Sequence, residues 1–310
     1  MWDTEVDLVC IGAGIGGLAS AIATVDAGGD VIVADTAPDL GGVASSVTTR
    51  GRVGAVRGWL QHTGVDVDTD VYLSAVAEGL DPLARRADAA LVPTRVARAW
   101  SADERSVEPF VGATIRAWDA QCLGSPYGML YTTVFGWRRT RMRSSDGEPI
   151  EVMPIGEMDW HDGLDEHDLF DWMDGQARER DVEVLAASRL QRLVFEEGLI
   201  VGVVLDTPDG PYAVRAHHGV ALSPRDHPPA AGDRLADPSP GERKHVCLVG
   251  RTASRFGRVE LVTIAAPTAV AEPVCKASGR QLRGNLRESR QVPSDAWRCG
   301  KVHGHTTFGQ

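Results

Sequence analysis

The segment "VDLVCIGAGIGGLASAIATVDAGGDVIVAD", residues 6 to 35, leaves few folds open to this chain. Val6, Leu8, Val9 and Ile11 are apolar and mostly β-favouring, which predicts a short buried strand. Gly12-Ala13-Gly14-Ile15-Gly16-Gly17 follows at once and satisfies G-x-G-x-x-G. "LASAIATVDA" then predicts a helix whose small residues pack on a sheet, and "DVIVAD" a second strand ending at Asp35. Each glycine of the pattern has a task. Gly12 makes a tight turn, Gly14 lets a pyrophosphate approach the backbone, and Gly17 lets helix and strand pack closely. The helix N-terminus offers free N–H groups and the positive end of its dipole to the phosphates. Asp35, 23 residues after Gly12, is placed to accept hydrogen bonds from a ribose. The three features together predict a dinucleotide site. A carboxylate at Asp35 would repel a 2′-phosphate, which argues against NADP and leaves NAD and FAD.

Spacing does not choose between those two. "GAGIGGLASAIATVDAGGDVIVADTAPDLGGVAS" resembles the opening of FAD-dependent oxidoreductases of the fumarate reductase, succinate dehydrogenase flavoprotein and 3-ketosteroid dehydrogenase group. The resemblance implies FAD, with Gly41-Gly42 lining the flavin side of the pyrophosphate. "GWLQHTGVDVDTDVYLSAVAEGL" is similar to the segment that follows in the ketosteroid dehydrogenase branch. Residues 165 to 222 add a third piece. A helix over "DEHDLFDWMDGQARERD", a strand at "VEVLAAS", a β-meander through "LQRLVFEEGLIVGVVLDTPDGPYAVRA" and a strand at "HGVALS" come in the group's order. The expected fold is therefore α/β: a Rossmann-like FAD-binding domain with a parallel sheet and a β-meander, plus a helical insertion.

Two departures from the group matter. Its Ala-Thr-Gly-Gly turn reads Ser223-Pro224-Arg225-Asp226 here, and only the proline-rich run Ser223 to Lys244 stands where the group's substrate-capping domain begins. "HVCLVGRTASRFGRVELVTIAAPTAVA" has the outline of the group's last segment, with a helix expected over Val259 to Ala266. The organisation expected is residues 1–58 and 177–272 as one discontinuous FAD-binding domain, 59–176 as a helical, aromatic-rich insertion, and 273–310 as a basic tail.

Catalytic candidates are weaker. In "SPYGMLYTTVFGWRRTR", Tyr127 or Tyr131 is a possible acid or base, and Arg138 or Arg139 a possible holder of a carboxylate or enolate; a packed hairpin with a basic end is the simpler reading. The tryptophans and tyrosines of 59–176 suit either a flat apolar substrate pocket or, more simply, a core. "CGKVHGH" has soft ligands, but its spacing fits no common zinc pattern, so no metal is expected.

Charge narrows the partners. Residues 1–242 carry 20 basic and 39 acidic side chains, and 243–310 carry 12 and 4, within a net charge of −11. No nucleic-acid motif accompanies the basic tail, so folding back on the acidic body is preferred to binding an acidic partner. No stretch reaches the run of about 20 apolar residues of a membrane span. The acidic start "MWDTEVD" and five scattered cysteines suit a cytoplasmic protein with reduced thiols. The expected function is an FAD-dependent oxidoreductase moving a hydride between flavin and a small apolar or steroid/enoyl-type substrate. The alternative is a non-catalytic FAD- or nucleotide-binding subunit. The expected partners are a small-molecule substrate and a second copy or partner subunit completing the site.

Overall fold

Leu8–Ile11 (β2) and Val31–Ala34 (β3) are buried at every residue, as strands covered on both faces must be. Between them Ile15–Asp26 (α1) buries its first ten residues without a break. Such a helix is apolar nearly all round because it lies inside the protein. A computed structural model describes residues 1–35, 65–78, 80, 92–100, 111–134, 139–159, 166–223 and 244–265. All of these fall in one unit, Met1–Thr268.

The larger sheet is mixed. Its parallel part comprises β2, β3, Glu183–Leu185 (β8) and Val220–Leu222 (β12), in the order β12-β2-β3-β8. Residues 183–185 and 220–222 are thus zipped to strands within the first 35. A second sheet is formed by Thr4–Val6 (β1) with the meander Arg189–Glu196 (β9), Leu199–Thr207 (β10) and Gly210–Ala216 (β11), in the order β1-β11-β10-β9. The meander turns at Gly198 and Gly210, whose φ values of 82° and 111° suit glycine. Val67–Ala77 (α2) is capped by Asp66, whose carboxylate accepts from Thr69 N at 3.1 Å, and it docks on β9 where Leu193 N donates to Thr69 Oγ1 at 2.8 Å.

The insertion over 59–176, expected to be helical, contributes strands as well as helices. Thr94–Ala99 (β4), Gly128–Tyr131 (β5), Thr140–Ser144 (β6) and Pro149–Met158 (β7) join the larger sheet, alongside the helices Val111–Leu123 (α3) and Glu166–Arg178 (α4). Strand β5 pairs with β12 rather than with β6, so the expected hairpin does not form. The helix expected over Val259 to Ala266 is also a strand: Phe256–Ile264 (β14) forms an antiparallel hairpin with Lys244–Gly250 (β13). Val259, Val262, Thr263 and Ile264 are β-branched, and the run is buried on both faces up to Val262.

Strands β13, β7, β6, β4 and β14 pair in turn, and β14 returns to β13, so five strands close on themselves. Ala97, Met142, Ile150, Val152, Cys247, Val249 and Val262 pack in one cluster with Trp118 of α3. The opposite faces of β13 and β14 pack toward α1 and α4 through Val246, Leu248, Val259 and Leu261.

Candidate dinucleotide site

Strands β2, β3 and β12 run in one direction, so their C-terminal ends share an edge. The glycine loop lies on it. Gly12 N donates to Ala34 O at 2.9 Å, which ties the loop to the end of β3. Gly12 has φ 98°, in the left-handed region. Gly14 is the N-cap of α1, in extended conformation, with no capping side chain and no acidic residue in the first turn that follows. The first-turn N–H groups and the positive end of the dipole are left for a ligand anion.

Close approach explains the remaining glycines. A Cβ on Gly17 would lie 1.9 Å from Gly12 O, a backbone atom. One on Gly16 would lie 2.7 Å from Ser223 Oγ and 3.0 Å from Gly128 O. The ends of β2 and β12 and the start of β5 therefore meet the first turn of α1. Gly16 was not singled out by the sequence reasoning, although the doubled glycine was a signal for it, and Ser223 is the first residue of the turn that departs from the group's pattern. Asp35 follows β3 directly; its N–H donates to Leu185 O at 2.9 Å and its carbonyl accepts from Ser188 N at 2.8 Å. These bonds fix the carboxylate's backbone at the same edge. A turn-forming glycine, a cap without a side chain, a backbone contact that a Cβ would fill, and a carboxylate beyond the second strand together fit a dinucleotide. Gly41 and Gly42 lie outside the described residues.

The catalytic candidates are placed differently. Tyr127 and Tyr131 are buried, at 0% and 4% exposure. The Tyr131 hydroxyl is 2.8 Å from Ser20 Oγ of α1 and donates to Met129 Sδ at 3.0 Å. Burial pushes its pKa up, and the Ser20 hydrogen bond offsets this only in part. Arg139 donates to Glu151 Oε2 at 2.8 Å. Tyr131 and Arg139 do meet, lining a shallow recess with Met153, Leu248, Gly250 and Phe256 that has room for about one water molecule. Arg138 lies outside the described residues. Of the described aromatics of the insertion, Trp118 is core; its indole N–H donates to Phe256 O at 3.0 Å. Among the described residues, no three metal-ligating side chains gather, and no helix is long and apolar enough to cross a membrane.

One charged group was not anticipated. Glu260 is fully buried between Arg95, whose Nε and Nη2 donate to its two oxygens at 2.6 and 3.1 Å, and Arg258, whose Nε donates at 2.6 Å. Burial alone would raise its pKa, but Arg258 and Arg95 outweigh it and hold the carboxyl below its ordinary range. The Arg258 and Arg251 guanidinium carbons stand 4.9 and 5.3 Å from the Trp118 ring centroid, and Arg251 pairs with Glu148.

A family model described as an FAD binding domain matches residues 7–238, three quarters of the chain. The chain belongs to the FAD binding domain family. Its cofactor is FAD. Among solved structures, this FAD binding domain chain is similar to the 3-ketosteroid-Δ4-(5α)-dehydrogenase of Rhodococcus jostii RHA1, at 21% identity over 71% of this chain and 46% of that one, with a TM-score of 0.30. It is also similar to a flavocytochrome c3 fumarate reductase in its open conformation, at 18% identity over 69% of this chain and 33% of that one, TM-score 0.28. A third is an aklavinone-11 hydroxylase in a ternary complex with FAD and aklavinone, at 20% identity over 70% and 32%, TM-score 0.26. The chain spans less than half the length of each. No curated protein matches it.

Proposed function

We propose that this chain is an FAD-dependent oxidoreductase that moves a hydride between flavin and a small apolar or steroid/enoyl-type substrate. The observation that carries the reading is the backbone contact between Gly17 and Gly12, beneath a helix N-terminus with no capping side chain and no acid in its first turn. FAD, when bound, supplies the hydride acceptor or donor. The residues of the chain bind and orient it. First-turn N–H groups hold the phosphates and Asp35 holds the adenosine ribose, and the resemblance adds Gly41 and Gly42 on the flavin side of the pyrophosphate.

The cofactor domain is discontinuous in this reading, built from 1–58 and 177–272. Parallel pairing of β2 and β3 with β8 and β12 supports it. Only residues 223–243 separate β12 from β13, too few to form a substrate domain there. We infer that a second copy or another subunit completes the substrate side. The test is visible absorbance of the purified protein, followed by anaerobic titration with a reductant. A stoichiometric flavin spectrum that bleaches and recovers is the expected result; a colourless protein that takes up no added FAD would overturn the reading.

A further inference from the structure

We propose that Ser188, with the strained Ala187 before it, is the positioning residue of the ribose-binding carboxylate at Asp35. The inference rests on the FAD reading above and adds a residue that no motif marks.

The ladder between β3 and β8 carries the argument. The two strands pair in parallel through Ile32 and Glu183, Val33 and Val184, and Ala34 and Leu185. Ala186 is therefore next in line to stand opposite Asp35. The Asp35 N–H donates to Leu185 O at 2.9 Å, as an unbroken ladder requires. Its carbonyl should then accept from the N–H of Ala187. It accepts from Ser188 instead, at 2.8 Å. One residue is extra on the β8 side, and Ala186 and Ala187 together face Asp35. Such bulges are rare in parallel pairs and gather beside functional sites, where they end pairing and redirect side chains.

The extra residue is held under strain. Ala187 has φ 54°, in the left-handed region that costs an alanine free energy. Ser188 is buried, and its Oγ donates to Ala186 O at 3.2 Å, which closes the corner. Strain of this kind persists only where the surroundings over-determine it. Here it holds the Asp35 backbone at its N–H and its carbonyl, one residue beyond the last pair of β3. Fixing that backbone fixes the direction in which the carboxylate leaves the chain, at the edge that carries the glycine loop. Ser188 acts through Asp35 and needs no contact of its own with the ligand.

The experiment compares wild type, A187V, A187G and D35A in titrations with FAD and with FAD lacking the adenosine 2′-hydroxyl, read by flavin fluorescence. The quantity that matters is the affinity lost with that hydroxyl. Valine, branched at Cβ, resists φ 54° and undoes the corner, whereas glycine accepts it freely. In wild type we expect the loss to be about tenfold or more, as for a hydrogen bond to a charged group. D35A should bind both ligands alike. A187V should approach D35A, with a loss of about threefold or less, and A187G should stay with wild type. An A187V protein that binds both ligands more weakly but keeps the full wild-type loss has only a structural corner; that result overturns the proposal and leaves the cofactor reading intact. A wild type that takes up FAD and is indifferent to the hydroxyl overturns the ribose role of Asp35 and the proposal with it. A wild type that takes up no FAD overturns the cofactor reading as well. Should A187V not fold, S188A decides, because it keeps the Ser188 N–H and removes only the Oγ bond to Ala186. A smaller loss than in wild type supports the proposal, and an equal one overturns it.

Discussion

A Cβ on Gly17 would come within 1.9 Å of the Gly12 carbonyl oxygen, so the turn that follows strand β2 and helix α1 touch backbone to backbone. Neither partner is a flexible side chain that could swing aside. We expect G17A to push the helix off the strand at a cost of about 1–3 kcal/mol or more, and to abolish FAD uptake by displacing the first turn. Gly28 is the control. Its φ is 87° and nothing stands within 4 Å of an added Cβ, so G28A should cost only the backbone strain, about 1–2 kcal/mol, and leave FAD uptake intact. Thermal unfolding and FAD titration on both variants check this. A G17A protein that still takes up FAD as wild type does would refute it.

Tyr131 gives an opposite kind of prediction. Its hydroxyl is engaged with Ser20 and Met129 inside the core. Y131F should therefore lose about 0.5–1.5 kcal/mol of stability, the net worth of an ordinary hydrogen bond, with FAD affinity and turnover kept. A proton-transferring tyrosine would instead lose about 100-fold or more in turnover. Melting temperature and single-turnover flavin reduction, measured together, separate the two roles.

Asp35 is held from both sides of its peptide by Leu185 and Ser188. D35A should weaken FAD binding by about 1.5–3 kcal/mol, the worth of a hydrogen bond to a charged group, roughly ten- to a hundredfold. The oxidised flavin spectrum should be unchanged, since the loss falls at the adenosine end. Equilibrium titration with FAD and with free flavin mononucleotide checks this, because only FAD affinity should respond.

What was legible in the sequence was local. Gly12, Gly14 and Gly17 announce themselves by spacing, and the meander by its Gly198 and Gly210 turns; at Gly12, Gly198 and Gly210 the chain's own backbone needs glycine for a positive φ, and at Gly17 for a close contact. Strand β14 was misread as a helix. A short apolar run such as "VELVTIAA" has no period that separates the two, and its partners decide. Glu260 was invisible for a different reason. Arg95 lies 165 residues from it in sequence, and no local pattern foretells a pairing made only when five strands close. Gly16 falls between: its neighbours Ser223 and Gly128 come from distant strands, and only the doubled glycine hinted at them.

The buried carboxylate sets the last expectation. Glu260 has its pKa lowered in the folded protein from the ordinary 4.5, because Arg258 and Arg95 outweigh the effect of burial. The folded state thus holds this proton less tightly than the unfolded chain. Its contribution to stability is whole above the ordinary value and is lost as pH falls through the lower, folded value. Asp119 acts in the reverse sense: burial raises its pKa, more than Ser254, Arg255 and Arg251 offset, so its protonation on acidification favours the folded state. E260Q leaves Arg95 and Arg258 facing each other without a carboxylate. We expect it to cost about 3–5 kcal/mol at neutral pH, and to flatten the acid limb of the stability curve below about pH 4.5. Urea unfolding of wild type and E260Q across the acid range tests both parts. Equal acid slopes for the two proteins would show that Glu260 keeps an ordinary pKa and that the arginine pair does not govern it.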